Sequence, residues 1–255
     1  MNQILLSATT AAHQAGNIIY SFFHSEYHVK MKGKGNPVTE ADIAADDILK
    51  EMLTSEFPDY GWLSEETRDT PSRLTKERVW VVDPIDGTKE FIEGIPNFVV
   101  SIGLVENGTP ILGVIHNPIN KDTYTAIRGR GIFFNGHQKT ISNKTEFFQI
   151  SMLNSRSETQ KGLWEPYTSH FKELIPIGSI ALKLAMVAAD QVDMVASLKP
   201  KNEWDICAGH CLINEAGGKL LTIEGKGITY NNANTLITPG LVAGNESVVN
   251  SFIKL

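Results

Sequence analysis

The residues best suited to chemistry stand together in one segment, Asp83-Pro84-Ile85-Asp86-Gly87-Thr88. It offers two carboxylates three positions apart, followed by a glycine and a hydroxyl side chain. Mg²⁺ prefers oxygen ligands and commonly joins a carboxylate or two to a substrate phosphate, while main-chain N–H groups at a helix start attract the same anion. The segment therefore indicates a cation and phosphate site, although Asp-Pro and Asp-Gly pairs also serve as plain turn residues.

A short apolar strand is expected to position this segment. The β-branched residues Val79, Val81 and Val82 come directly before it and predict a buried strand. Pro84 cannot donate to a sheet ladder and disfavours helix at the residue before it, so we expect the strand to end at Asp83.

Two further acidic segments lie upstream. Thr39-Glu40-Ala41-Asp42 has the pattern of a capping box, which places Asp42 on the first turn of a helix that should end at Phe57-Pro58. Glu65 and Glu66 follow a short strand candidate that runs from Tyr60 to Ser64. Adjacent acids at a strand end usually belong to a solvated loop, so these positions alone identify no site.

Two polar segments are predicted to be loops. The basic, glycine-rich residues 30–37 indicate a solvated connector, or alternatively a mobile cationic flap over an anionic ligand. Residues 67–77 are polar and broken by a proline, which predicts a mobile surface loop.

The remaining pattern predicts two halves, residues 1–146 and 147–255. In the first, an amphipathic helix from Ile4 to Phe23 and the helix after Thr39 should cover a mainly antiparallel sheet. Its clearest part is a hairpin with Asn107-Gly108 at the turn. The second half alternates strands and helices, which is typical of a layered α/β unit. Its expected elements are strands 148–153, 192–198, 219–223 and 241–243, helices opened by Gly178-Ser179 and by Glu203-Trp204-Asp205, and a short C-terminal helix.

Bulk composition excludes some partners. With 255 residues, 42% hydrophobic content and a net charge of −6, the chain is expected to be globular, with no nucleic-acid polymer and no membrane as partner. The apolar N-terminal residues have no basic region before them, which predicts no signal peptide and a cytoplasmic location. Cys207 and Cys211 lie four apart in one predicted helix, which suits core packing better than zinc.

Four segments in chain order resemble the inositol monophosphatase superfamily of metal-dependent, lithium-sensitive phosphatases. They are Pro37-Val38-Thr39-x-x-Asp42, Ser64-Glu65-Glu66, Asp83 to Thr88, and Trp204-Asp205-x-x-Ala208-Gly209. The resemblance implies an α+β fold, a layered αβαβα sandwich of the sugar-phosphatase type, with mixed sheets and helix pairs between and outside them. It also implies a phosphomonoesterase that acts on a small phosphorylated substrate as a monomer or homodimer.

The resemblance implies two Mg²⁺ sites that share one ligand. Glu65, Asp83 and the main-chain carbonyl of Ile85 would hold the first ion. Asp83, Asp86 and Asp205 would hold the second. A third, weaker ion would lie near the basic loop, where Glu65 would face it.

The same resemblance implies the remaining roles. Thr88 and Asp42 would orient and deprotonate the attacking water, with Glu65 as a further catalytic carboxylate. Main-chain N–H groups of Gly87 and Thr88 would grip the phosphate, and Asp205 would also lie beside the substrate. The residues support this chemistry independently, since phosphate-ester hydrolysis requires activated water and charge neutralisation. Neither a Gly-x-Ser-x-Gly elbow nor an activated cysteine offers another nucleophile.

The branch of the superfamily is indicated by three substrate-binding candidates, Lys89, Ser179 and Lys183. Lys89-Glu90-Phe91 and the Gly178-Ser179…Lys183 pattern resemble the 3′(2′),5′-bisphosphate nucleotidases, in which Ser179 and Lys183 would contact the second phosphate or the ribose. Alternatively, Ser179 is a helix N-cap and Lys183 is solvated on the next turn.

Three functions remain open at this point. The first is removal of the 3′-phosphate of adenosine 3′,5′-bisphosphate, giving AMP and phosphate. The second is hydrolysis of inositol monophosphate or another sugar phosphate by the same mechanism, and the third is binding of metal or phosphate without turnover. Residues 197–203 are poor in aromatic side chains for an adenine-stacking pocket, and their Lys199 and Lys201 either bind a second phosphate or face solvent.

Overall fold

The computed structural model describes residues 1–33 and 36–255. Its first half holds two long helices, a short third helix, a small hairpin and a seven-stranded sheet. In chain order the elements are α1 (Asn2–Phe22), β1 (Val29–Gly33), β2 (Asn36–Thr39), α2 (Glu40–Glu56), β3 (Gly61–Ser64), β4 (Arg78–Asp86), α3 (Thr88–Ile92), β5 (Val99–Glu106), β6 (Thr109–Asn117), β7 (Asp122–Ile127), β8 (Ile132–Phe134) and β9 (His137–Lys139).

The seven-stranded sheet runs in the order β3-β4-β5-β6-β7-β8-β9. All neighbours in it are antiparallel except β3 and β4, which are parallel. Asn107 and Gly108 connect β5 to β6 with φ values of 50° and 78°, the left-handed conformation that a tight hairpin turn requires. The predicted hairpin and the two covering helices are confirmed.

The second half forms a five-stranded sheet with helices on both faces. Its elements are β10 (Ser151–Ser155), α4 (Arg156–Thr159), β11 (Glu173–Ile177), α5 (Ile180–Ala188), β12 (Met194–Ser197), β13 (Lys201–Asn202), α6 (Glu203–Glu215), β14 (Lys219–Thr222), β15 (Leu236–Ile237), β16 (Leu241–Gly244) and α7 (Glu246–Phe252). The sheet order is β11-β10-β12-β16-β14, and only the β10–β11 and β10–β12 pairs are parallel.

Three buried clusters define the layers. Trp80 and Val82 on β4 face α1 and α2, while Val79 and Val81 face the opposite way, toward α5 and α6. The cluster around α5 and α6 also includes side chains of the five-stranded sheet, whose outer face packs against α7. The order is helices, sheet, helices, sheet, helix. The layered αβαβα fold is confirmed.

Helix α6 approaches the first sheet closely because that sheet carries a glycine at the contact. A Cβ on Gly113 would clash with the carbonyl group of Ala208. The close approach brings the N-terminal turn of α6, and with it Asp205, toward the end of β4. The predicted division at residue 146 separates the two sheets, while the cluster around α5 and α6 draws residues from both halves.

Three local expectations were wrong here, and one strand was missed. Residues 30–37 overlap the β1–β2 hairpin, apart from Lys34 and Gly35, which lie outside the described residues. The polar segment 67–77 contains a 3-10 helix, Pro71–Thr75, with a buried Arg73. A 3-10 turn occupies Phe147–Gln149, so β10 begins only at Ser151, and β11 was not predicted. None of the helices within the described residues combines the length and apolarity of a membrane span.

Candidate active site

The acidic segment after Val82 lies on a strand that continues further than its proline suggests. β4 extends to Asp86 instead of ending at Asp83. Its pairing with β5 shifts there, since Asp83 lies opposite Ser101 and Asp86 opposite Val99. Such a bulge bends a strand and redirects its side chains. Pro84 is accommodated because it falls within the interrupted stretch, where its missing N–H costs no ladder hydrogen bond.

Three carboxylates from separate elements meet beside this bulge. Oxygen atoms of Glu65, Asp83 and Asp205 all lie within 4.8 Å of one another. Glu65 follows β3, which is parallel to β4, and Asp205 lies on the first turn of α6. Asn202 and Asp205 form a capping box that fixes this turn, with the Asn202 N–H donating to Asp205 Oδ2 at 2.8 Å.

The electrostatics of this group call for a cation. Burial raises the pKa values of Asp83 and Asp205 well above the ordinary range, and repulsion from neighbouring carboxylates raises them further. Oxygen ligands crowded in this way suit a hard divalent ion, which would offset both costs. The residues present therefore fit the predicted Mg²⁺.

Asp86 lies in the same pocket, outside that group of three, and is fixed by the second half of the chain. Its Oδ2 accepts hydrogen bonds from Ser179 Oγ at 2.6 Å and from the Ala181 N–H at 2.5 Å. Burial raises its pKa to about 6, against the lowering effect of these hydrogen bonds. Ser179 also caps α5 by accepting from the Leu182 N–H at 3.0 Å. The N-cap alternative for Ser179 is therefore observed, together with a hydrogen bond to a predicted metal ligand.

Asp42 and Thr88 meet across the pocket edge, as the sequence predicts. Thr88 Oγ1 donates to Asp42 Oδ1 at 3.0 Å and lies 3.2 Å from the carbonyl oxygen of Ile85. The capping box of α2 is present, so Asp42 Oδ2 accepts from both the N–H and the hydroxyl of Thr39. Burial raises the pKa of Asp42, and the hydrogen bonds from Thr39 and Thr88 oppose the shift. A hydroxyl held by a buried carboxylate can orient a water and pass on its proton.

Gly87 makes the turn between β4 and α3. Its φ of 112° suits glycine, and a Cβ there would contact the Asn97 carbonyl oxygen at 2.9 Å. Gly87, Thr88 and Lys89 all line a cleft of about 450 Å³ together with the four acids. The predicted metal and phosphate residues therefore share one cleft with Thr88, and Asp42 reaches it through its hydrogen bond with Thr88.

Lys183 occupies the same cleft and is buried, with only 3% of its surface exposed. This finding contradicts the alternative of a solvated side chain. Its ammonium donates to the carbonyl oxygens of Ile177 at 3.0 Å and Asn154 at 3.4 Å. Burial lowers its pKa to about 8, an effect that the carboxylate of Asp86 opposes. Lys89, in contrast, is exposed at the rim.

The β1–β2 hairpin reaches the acidic cluster through Lys32. Its ammonium lies 2.7 Å from Glu65 Oε1 and 2.6 Å from Glu66 Oε1. Glu66 is not the solvated loop residue that its position suggests, since only 4% of its side chain is exposed. Asp46 anchors the same loop by accepting hydrogen bonds from the hydroxyl groups of Ser64 and Thr67.

Sequence reasoning missed three charged residues near the cleft. Arg156 and Glu90 line it and form an ion pair at 2.8 Å, and Arg156 also pairs with Glu93 at 2.7 Å. Glu158 is fully buried behind the cleft wall. The Ser-Arg-Ser segment at 155–157 gave no motif signal by itself, because its partners are remote in sequence.

The cysteines pack as predicted, and His210 is buried beside them. Cys207 and Cys211 are free and buried, and burial raises the pKa values of both thiols. His210 Nδ1 lies 2.9 Å from the hydroxyl of Tyr230. These three side chains belong to the core around α6.

Known proteins share both this fold and these segments. A sequence profile of the inositol monophosphatase family matches residues 1–251. Inositol monophosphatase 2 of Solanum lycopersicum is 34% identical, covering 88% of this chain and 89% of that protein. The 3′(2′),5′-bisphosphate nucleotidase CysQ of Haemophilus influenzae is 33% identical, covering 95% and 91%. The crystal structure of the extragenic suppressor protein SuhB from Bartonella henselae superposes with a TM-score of 0.88 at 29% identity, covering 99% and 97%.

The fold and the acidic cleft therefore belong to a metal-dependent phosphatase. The chain is a member of the inositol monophosphatase family. Nucleotidase and inositol monophosphatase relatives are similar to it to the same degree, so identity alone does not select the substrate.

Proposed function

We propose that this phosphatase removes the 3′-phosphate of adenosine 3′,5′-bisphosphate, with Mg²⁺ as its metal. The observation that carries the proposal is the buried ammonium of Lys183. It lines the same cleft as the acidic cluster, and both of its hydrogen bonds with the described residues go to main-chain carbonyls. The carboxylate of Asp86 is near enough to favour the charged form, but among the described residues no carboxylate hydrogen-bonds the ammonium, which can therefore pair directly with a further anion. A second phosphate on the substrate supplies that anion.

Two ions would bind at the acids of the cleft. Glu65, Asp83 and the Ile85 carbonyl would hold one, and Asp83, Asp86 and Asp205 the other. When bound, Mg²⁺ neutralises the phosphoryl oxygens, lowers the pKa of water and stabilises the leaving oxygen. A third ion at Glu65 remains a prediction, and Lys32 already places a positive charge there.

The side chains of this protein would guide the attack. Thr88 Oγ1 accepts a hydrogen bond from the incoming water while its own hydroxyl proton points to Asp42 Oδ1. As the water oxygen bonds to phosphorus, the P–O3′ bond breaks, one proton of the water passes to Thr88 Oγ1, and the threonine proton passes to Asp42. The departing 3′ oxygen takes a proton from solvent water, which gives the free 3′-hydroxyl. Main-chain N–H groups of Gly87 and Thr88 orient the phosphate that is transferred to water, and Ser179 keeps Asp86 in place.

A second candidate is hydrolysis of inositol monophosphate or another sugar monophosphate by the same steps. The similar identity to inositol monophosphatases favours it. In that case Lys183 would contact a hydroxyl-rich ring and would gain no anionic partner. The cytoplasmic location, the lack of a nucleic-acid partner and the choice between monomer and homodimer stay predictions.

Steady-state kinetics on three substrates test the proposal. Adenosine 3′,5′-bisphosphate, inositol 1-phosphate and fructose 1,6-bisphosphate are compared at saturating Mg²⁺, each with and without Li⁺. We expect the nucleotide to have the highest kcat/KM. A higher value for either sugar phosphate rejects the nucleotide assignment and leaves the phosphatase class intact.

A further inference from the structure

The cleft has no obvious platform for a nucleobase. Among the described residues that line it, none is aromatic. Bases of nucleotide substrates are usually held by stacking on a flat side chain, either an aromatic ring or an arginine guanidinium. The one guanidinium in the lining belongs to Arg156, at the start of α4.

Arg156 is held rigidly by two carboxylates of α3 and the residue that follows it. Its Nη1 donates to Glu90 Oε1 at 2.8 Å and its Nη2 donates to Glu93 Oε2 at 2.7 Å. Glu90 is itself fixed, since it is only 7% exposed and its carboxyl group packs so closely on Gly178 that a Cβ there would clash with it. The guanidinium is therefore pre-organised relative to the phosphate grip at Gly87.

The net charge of Arg156 together with Glu90 and Glu93 argues against a role of this group in binding phosphate. Two carboxylates and one guanidinium leave a net charge of −1, which repels a further anion. Carboxylates bind a guanidinium in its plane, so both terminal nitrogens are engaged at the edge. What remains for a ligand is the flat face and Nε, and 28% of the side chain is exposed.

We propose that Arg156 determines specificity by stacking on the nucleobase of the substrate. The inference rests on the proposed nucleotidase function and adds to it. In this arrangement Lys183 binds the second phosphate and Arg156 binds the base. Stacking is tolerant of base identity, so purines should be preferred to pyrimidines without strict selection of adenine.

An Arg156→Lys variant tests this assignment, since it keeps the charge and loses the planar group. Two substrates are compared: adenosine 3′,5′-bisphosphate and the 3,5-bisphosphate of the corresponding abasic tetrahydrofuran sugar, which has the same phosphates. We expect kcat/KM for the nucleotide to fall about tenfold, equivalent to about 1.4 kcal/mol, with little change for the abasic compound. Arg130→Lys, at an exposed arginine outside the cleft lining, is the matched control and should change neither value.

Other outcomes separate the two proposals. If Arg156→Lys lowers both values equally, Arg156 binds phosphate or merely supports the wall, and the stacking role is rejected. If Arg156→Lys lowers kcat/KM for neither substrate, Arg156 does not contribute to substrate recognition and the stacking role is rejected. If the unmodified enzyme prefers a sugar phosphate to the nucleotide, the proposed function itself fails. Unchanged turnover of the abasic substrate by Arg156→Lys would show that the variant is folded.

Glu93→Gln provides a second measurement. Glu93 is exposed, and its loss should loosen Arg156 without removing it. We expect the affinity for the product adenosine 5′-phosphate, measured by calorimetry, to weaken about threefold, while that for ribose 5-phosphate stays constant. Equal weakening of both ligands would contradict a role of the guanidinium in binding the base.

Discussion

The two ends of the cleft are built in different ways. At the catalytic end, Asp42 and Asp205 are each fixed by a local capping box, while Asp83 lies at a bulge that depends on pairing with β5. At the substrate end, side chains are held by partners far along the chain. Glu90 and Arg156 are 66 positions apart, and Ser179 reaches back 93 positions to the proposed metal ligand Asp86.

This difference separates chemistry from specificity. Short segments fix the geometry of Asp42 and Asp205, so this part of the catalytic end can be recognised from the sequence. The substrate end instead depends on contacts between the two halves of the chain, such as those of Arg156 with Glu90 and Glu93. Substitutions at the two ends of the cleft test this division.

Asp205→Asn should abolish most activity. The change removes the charge of one member of the acidic cluster while its volume is kept, so Mg²⁺ binding should weaken. We expect kcat/KM to fall by about a thousandfold or more, with partial recovery at high Mg²⁺. Steady-state kinetics over a Mg²⁺ titration measure both. Asp190→Asn, at an exposed aspartate outside the cleft lining, is the control, and unchanged activity in Asp205→Asn would refute the assigned site.

Thr88→Ala should slow turnover without loss of metal. The variant removes the hydroxyl that links the attacking water to Asp42, so we expect kcat to fall about a hundredfold. The Mg²⁺ concentration for half-maximal activity should stay close to that of the unmodified enzyme. Thr88→Ser keeps the hydroxyl and should retain most of kcat. Equal damage by both substitutions would indicate a packing role for Thr88 instead.

Much of the catalytic end was predictable from the sequence. The capping box at Thr39 and Asp42 was confirmed because its hydrogen bonds are local, and the helix start at Glu203 for the same reason. The predicted end of β4 at Asp83 was wrong, since the strand continues to Asp86. The β-bulge that allows this depends on the partner strand, which the effect of proline on its own strand does not reveal.

The substrate end was harder to predict because its contacts are remote. Arg73, which lies outside the cleft lining, shows the same effect: its segment was expected to be a mobile loop, yet its guanidinium donates to Asn231 Oδ1 at 2.7 Å and to the carbonyl of Asn232 at 2.9 Å. No pattern within residues 67–77 signals partners 158 positions away. The burial of Lys183 was missed for a similar reason, since β10 and the end of β11 cover it.

Lys183→Met should distinguish a bisphosphate from a monophosphate. Methionine fills similar space without the charge, so a phosphate that Lys183 binds would lose a charge-assisted hydrogen bond of about 1.5–3 kcal/mol. We expect KM for adenosine 3′,5′-bisphosphate to rise at least tenfold, and KM for adenosine 3′-phosphate to change little. Comparable losses on both substrates would mean that Lys183 supports Asp86. Lys183 would then belong to the catalytic end of the cleft and would not recognise the second phosphate.

Glu158→Gln should have the smallest effect on activity and the clearest effect on stability. The buried carboxylate accepts hydrogen bonds from Trp164 Nε1, from Ser197 Oγ, and from the N–H groups of Leu198 and Lys199. An amide replaces one acceptor oxygen by a donor that faces other donors. We therefore expect the free energy of unfolding to fall by about 2 kcal/mol, measured by urea titration, with Glu173→Gln at an exposed site as the control.

The effect of Glu158→Gln on KM and on the Mg²⁺ requirement shows which end of the cleft the loop at residues 198–199 supports. Residues 198–199 lead to Lys201 and Asn202 in the cleft, and then to Asp205. If this loop serves only the substrate end, KM should rise about threefold while the Mg²⁺ requirement is unchanged. If the Mg²⁺ requirement rises as well, the loop also positions Asp205, because loosening it would move the first turn of α6. Glu158 would then help to position both the substrate-binding residues of this loop and the metal ligand Asp205.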